Sequence, residues 1–252
     1  VIVSPFEIQG LEFREQGHLY LLDGNPVPSV SEVLGCMNSD WKMPWVKKKI
    51  KKYLMEHPAE RTPELFEQTV DKALQAAEEE RDQAAGIGSE VHNWIKSYIM
   101  FRDQVSSAPS LAGLSKRGKE SIAEFLQWEK GRKVEYVASE LKLASRKYQF
   151  AGTLDTVVRI ESRLGIVDFK TAAAVRRSNY LQTAAYQLMW EEADVRRQFP
   201  IDMRRILLLP RTGNPFQMHE VRTTYEEDRD TFLALRTTCR WEARVKPIFS
   251  WQ

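Results

Sequence analysis

The sequence predicts an α/β protein with a helical N-terminal insertion. Two observations lead there. Over about 38–130 apolar residues recur at helical spacing, and from residue 133 the period changes to two. Strand-like runs then alternate with helical stretches, the order expected of a layered α/β fold. At 252 residues the chain can bury a full core. Its 42% hydrophobic and 29% charged residues are those of an ordinary globular protein.

The elements follow in order. Leu19–Leu22 runs into Asp23-Gly24-Asn25-Pro26, a turn-rich cluster that reads as a hairpin. Ser29-Val30-Ser31-Glu32 matches a capping box, in which Ser29 accepts from a backbone N–H and Glu32 reaches back. Residues 43–56 form a lysine-rich helix flanked by Trp41 and Trp45. Thr62-Pro63-Glu64 opens a further helix, with an N-cap hydroxyl, proline in the first turn and an acid at the positive end of the dipole. Gly86-Ile87-Gly88 is expected to end it, and a second helix to run from Ser89 to Met100. Residues 106–110 read as a loop and 115–130 as an amphipathic helix stopped by Gly131. Strands are expected over Val134–Leu143, Phe150–Ile160 and Gly165–Phe169, then a helix over 179–194 and a strand over Ile206–Leu209. Residues 211–215 form a tight turn into a strand over Phe216–Val221, and a last helix spans 225–243. The whole reads as one domain, mainly helical over about 38–130, with the sheet and C-terminal helices over about 133–252.

Net charge is +2, which selects no partner, but its distribution is uneven. Residues 41–55 hold six lysines and no acid, and 56–82 hold nine acids against three basic residues. No apolar run approaches the roughly 20 residues needed to cross a bilayer, and no secretory leader is read. Cys36 and Cys239 are too few for a cysteine-rich metal or iron–sulfur site. Both are expected as packed thiols in a reducing compartment, which points to the cytoplasm.

The chemistry concentrates in Gly152-Thr153-Leu154-Asp155 and Asp168-Phe169-Lys170. With a turn centred near 162–163, the two strands form a hairpin in which Asp155 faces Lys170 and Asp168 faces Val157. Asp168 and Lys170, two apart, share a face, and Asp155 joins it. Adjacent carboxylates are unfavourable without a cation between them. Hard oxygen donors suit Mg²⁺ or Mn²⁺. A neighbouring lysine can orient the attacking water while the metal stabilises phosphoryl charge. Asp-x-Lys alone is weak, since Asp40-Trp41-Lys42 matches it too, and a salt bridge would explain the pair by itself.

Further residues fall into place around it. Gly88-x-x-x-His92, Glu140, Gly152-x-x-Asp155, Asp168-x-Lys170 and Gln182-x-x-x-Tyr186 occur in that order. Singly each has a plain structural explanation. Together they resemble the motif series of RecB-like exonucleases of the PD-(D/E)XK superfamily. The opening Val27-Pro28-Ser29-Val30-Ser31 is similar to that of phage and mitochondrial genome-maintenance exonucleases, with Ser31 in place of threonine. The resemblance implies a restriction-endonuclease-like core, a central mixed β-sheet flanked by helices, and a DNA substrate. It implies metal ligation by His92, Asp155 and Asp168, assisted by the Phe169 carbonyl, and a Lys170 that positions water. Glu140 would support the metal shell, and Gln182 and Tyr186 would orient the scissile strand. The four-cysteine iron–sulfur cluster of some relatives is ruled out by cysteine count, and no phosphate-binding Gly-Lys-Ser/Thr loop of a helicase occurs.

The leading reading is a metal-dependent DNA exonuclease acting on single-stranded ends in replication, recombination or repair. The alternatives are a site-specific endonuclease on the same core and a non-catalytic nucleic-acid binding module. Lys48, Lys49 and Lys52, near Trp45 and Tyr53, are candidates for holding backbone phosphates.

Overall fold

The computed structural model describes residues 8–37, 42–58, 62–102, 107–193, 199–209 and 215–245. The chain divides into two compact units, residues 38–90 and the remainder.

The larger unit opens with a three-stranded antiparallel sheet of β1 (Leu11–Arg14), β2 (Leu19–Leu22) and β3 (Asn25–Val27). Asp23 and Gly24 between β2 and β3 both take positive φ, 50° and 78°, as a two-residue type I′ turn requires. The expected hairpin is there, with β1 added to it. Helix α1 (Val30–Gly35) follows, and its capping box is complete: Glu32 N–H donates to Ser29 Oγ at 3.1 Å, and Ser29 N–H donates to Glu32 Oε2 at 2.7 Å.

The smaller unit contains α2 (Lys42–Glu56) and the first part of α3 (Pro63–Arg102), whose residues from Val91 belong to the larger unit. The break expected at Gly86-Ile87-Gly88 does not occur, and one 40-residue helix runs through it. Each helical glycine costs only about 1 kcal/mol relative to alanine. Two cannot end a helix whose flanks, Gln83-Ala84-Ala85 and Ser89-Glu90-Val91, carry no proline and no cap.

The main sheet has the order β4-β5-β6-β7-β8, from β4 (Glu135–Ser145), β5 (Phe150–Ile160), β6 (Arg163–Lys170), β7 (Met203–Leu208) and β8 (Gln217–Glu220). All pairs are antiparallel except β6–β7, which is parallel and spanned by helix α5 (Arg177–Glu192). A sheet that mixes both pairings is what the resemblance implied. Helices α4 (Lys116–Glu129) and α6 (Tyr225–Val245) complete the unit. The core holds Leu141, Leu143, Leu154, Val157 and Ile166 of the sheet with Ala185, Met189 and Trp190 of α5, Phe232 of α6 and Val33 of α1.

Two expectations are corrected here. Cys36 and Cys239 are not free thiols: they form a disulfide, with Cα atoms 6.1 Å apart across 203 residues of sequence. Packing of α1 near α6 brings them together, which no local pattern announces. The premise for a reducing compartment goes with it. The hairpin register also differs. Ile160 pairs with Arg163 and Thr156 with Val167, so paired numbers sum to 323 rather than about 325. The turn is a two-residue one at Glu161 and Ser162, both with positive φ of 51° and 67°. The pairing ends at Thr156–Val167, so Asp155 and Asp168 are the next residues on their strands and Lys170 does not face Asp155. The tight turn at 211–215 falls mostly outside the described residues, as do Trp41 and residue 194.

Candidate active site

Three elements carry the acidic centre: α3 supplies His92, β4 Glu140, and the β5–β6 hairpin Asp155, Asp168 and Lys170. Hydrophobic neighbours anchor each one. Val91, Ile95 and Ile99 are buried on α3, and Tyr98 of the same helix meets Phe125, which meets Phe169 of β6 edge-on at 5.7 Å. Phe169, fixed in this way, bonds to the site through its backbone on both sides. Its N–H donates to Asp155 Oδ2 at 2.8 Å, and its carbonyl lies 3.1 Å from His92 Nε2. The other ring nitrogen, Nδ1, lies 3.5 Å from Asp155 Oδ1.

Glu140 sits where β4 departs from regular geometry. Its neighbours pair normally, Ser139 with Thr156 and Leu141 with Leu154, yet Glu140 has a φ of 49°. A left-handed backbone on a non-glycine residue costs about 1–2 kcal/mol. Such strain persists only where surrounding structure enforces it, and here it puts a carboxylate beside Asp155. Ligand atoms of His92, Glu140 and Asp155 all lie within 4.8 Å of one another, a grouping able to hold a metal ion. Asp168 stands beside this trio rather than in it. It is fully buried, and its Oδ2 lies 2.6 Å from Lys170 Nζ. Its Oδ1 is buried with no hydrogen-bond partner among the described residues.

The electrostatics follow from crowding acids out of water. Burial opposes a charge on His92, but the Asp155 carboxylate overrides it and raises the imidazole to about 9. Burial would raise Asp155, yet His92, Lys170 and the Phe169 N–H together hold it below its ordinary value. Asp168 is pushed up to about 6 by burial, with the Asp155 charge adding to the shift and Lys170 opposing it. Glu140 is raised by burial and by Asp155. Lys170, despite burial, stays above its usual range because Asp168 and Asp155 surround it.

Gln182 and Tyr186 project from α5, and Gln182 Nε2 donates to Tyr186 Oη at 3.2 Å. Tyr186 is buried, and its phenol is raised well above the usual range by burial and by the Asp155 and Asp168 charges, which places those carboxylates in its surroundings. Gly152 makes room for it: a Cβ there would lie 3.0 Å from Tyr186 Cε1 and 3.1 Å from Val30 Cγ2. The glycine of Gly152-x-x-Asp155 therefore serves packing of α5 and α1 on β5. Lys48, Lys49 and Lys52 belong to the smaller unit. Lys49 pairs with Glu80 and stands 5.8 Å from the centre of the Trp45 ring, Lys52 is 3.7 Å from Glu56, and Lys48 is exposed.

A model of the PD-(D/E)XK nuclease superfamily matches residues 48–246, well over half the chain. The chain belongs to that superfamily. It is accordingly a nuclease, with a nucleic acid as substrate, and the superfamily works with divalent metals. No curated protein sequence matches the chain. Among solved structures, the crystal structure of SSO0001 aligns with 81% of this chain and 86% of its own at 9% identity, with a TM-score of 0.31. Among the described residues no helix is long and apolar enough to cross a membrane.

The donor set of this PD-(D/E)XK site fits a divalent cation. Carboxylate oxygens from Glu140 and Asp155 and one imidazole nitrogen are donors such a cation accepts, and the unpartnered Asp168 Oδ1 is a further buried acceptor. Sequence reasoning overlooked Lys96, four residues after His92 and so on the same helical face, whose charge acts on Glu140. The i, i+4 spacing from His92 was the available signal.

Proposed function

We propose that this nuclease is a DNA exonuclease that uses Mg²⁺ or Mn²⁺ to hydrolyse phosphodiester bonds from single-stranded ends, in replication, recombination or repair, in the manner of the phage enzymes it resembles. The observation that supports it most is the convergence of His92, Glu140 and Asp155 within 4.8 Å, next to a buried Asp168–Lys170 pair.

His92, Glu140, Asp155 and Asp168 would hold the metal. When bound, it supplies charge stabilisation at the phosphoryl group and a more acidic water. Lys170 is kept protonated by Asp168 and orients the nucleophilic water toward phosphorus. Gln182 and Tyr186, already bonded to each other, orient the strand by hydrogen bonds to its phosphates. Lys48 and its neighbours on α2 bind backbone phosphates without reading sequence.

Exonuclease action is tested with linear and covalently closed circular single strands of one sequence. The expected result is stepwise shortening of the linear strand and an intact circle. Cutting of the circle at the same rate would identify an endonuclease.

A further inference from the structure

The small N-terminal sheet reaches the active site through Tyr20, whose Oη lies 2.8 Å from Thr153 Oγ1. Thr153 is two residues before Asp155 on β5 and pairs directly with Lys142 of β4, itself two residues beyond Glu140. Two residues along a strand span about 7 Å, the scale of one nucleotide. The Lys142–Thr153 pair therefore lies one such step from the Glu140 and Asp155 carboxylates.

A ring cluster stands over that pair. Lys142 Nζ lies 5.4 Å from the centre of the Phe13 ring. Phe13 packs against Tyr20 at 4.7 Å and against the edge of His18 at 5.0 Å. Tyr20 is buried, Phe13 half-buried, and His18 and Lys142 exposed. His18 holds a φ of 51° at the β1–β2 turn, a strained backbone for a non-glycine residue that sets its ring against Phe13. Lys142 pairs with no carboxylate among the described residues, and neither does Lys96 on the α3 flank of Glu140; both charges bear on the Glu140 carboxylate. Exposed cations thus flank an acidic centre, and on one side they adjoin the half-buried Phe13 ring and the exposed His18 ring. That combination neutralises phosphate and stacks bases without reading sequence.

We infer that Phe13, His18 and Lys142 form a nucleotide subsite next to the cleavage centre, in which one base of a single DNA strand stacks on the rings and Lys142 contacts its phosphate. The inference rests on the nuclease reading above. It adds a subsite made by the N-terminal sheet, which none of the motifs covers.

The test is an abasic scan. Full-length Lys170→Ala protein in Mg²⁺ is titrated into labelled single strands that each lack one base, and affinity is read by fluorescence anisotropy. The expected profile has one position near the bound end where base loss weakens binding roughly tenfold or more. Phe13→Ala in the same background abolishes that position's sensitivity, and Phe13→Trp restores it. Lys142→Gln lowers the slope of log affinity on log salt by about 0.7. If Phe13→Ala leaves the profile as it was, or weakens every strand by one common factor, the rings only cover Tyr20 and the subsite is overturned. Cleavage is read separately on the wild-type protein, so failure of the nuclease reading and failure of the subsite register in different measurements.

Discussion

Two acid–base pairs with buried carboxylates are anchored on neighbouring strands of one sheet, and they differ in a way that separates architecture from chemistry. On β7, Arg204 Nη1 donates to Asp228 Oδ2 at 2.8 Å, and Thr223 Oγ1 donates to the same oxygen at 2.6 Å. Arg204 Nη2 donates to the Thr223 carbonyl, and the pair is closed on itself, joining β7 to α6. On β6, Asp168 has Lys170 and nothing on its second oxygen among the described residues, while Asp155 and Glu140 stand close by. A buried pair that leaves no buried side-chain atom without a partner holds two elements together. One with a bond missing, crowded by like charges, retains a demand that a cation can meet.

The largest effect that can break this comparison is on rate. Lys170→Ala is expected to lower single-turnover cleavage by about 10²–10⁴-fold while affinity for DNA changes little, since a single phosphate interaction among several is a small part of binding. Normal cleavage by this variant would make Lys170 a salt-bridge partner and erase the contrast with Arg204.

Stability supplies the second comparison. Asp228→Ala leaves the Arg204 guanidinium buried and unpaired, at a cost of about 3–5 kcal/mol, read as a lowered urea midpoint. Asp168→Ala is expected to cost about 1 kcal/mol or less. The Lys170 side chain is 22% exposed and can turn to water, and the repulsion with Asp155 is relieved. Equal losses would show that both pairs are architectural.

How much of this could be read beforehand depended on whether the cause was local. The capping box at Ser29 and the strands around Asp155 and Asp168 arise from neighbours in sequence and were legible. The order of the motifs pointed to the residues that the fold gathers, Glu140 included. The register of the β5–β6 hairpin was not legible, because Glu161-Ser162 turns without the Asn-Gly or Asp-Gly signal such turns normally carry. The continuity of α3 through Gly86 was a matter of magnitude: two glycines lower helix stability without ending the helix. The Cys36–Cys239 bond depends on how α1 and α6 pack, and the left-handed Glu140 on the strands around it. Neither has a signature in the residues themselves.

The smallest expected effect concerns α2. Two of its three candidate lysines already have acids, Glu80 for Lys49 and Glu56 for Lys52. Changing Lys48, Lys49 and Lys52 together to glutamine is expected to reduce the salt slope of single-strand binding by about 0.7 for each phosphate no longer neutralised, chiefly through Lys48. An unchanged slope would place α2 away from the DNA.

The most direct measurement of the central claim is cleavage of an end-labelled single strand in Mg²⁺, in Mn²⁺ and in EDTA, by the wild-type protein and by Asp168→Asn. The account predicts shortening of the strand in either metal, none in EDTA, and none by Asp168→Asn in any condition. Full turnover in EDTA, or an active Asp168→Asn protein, would contradict it.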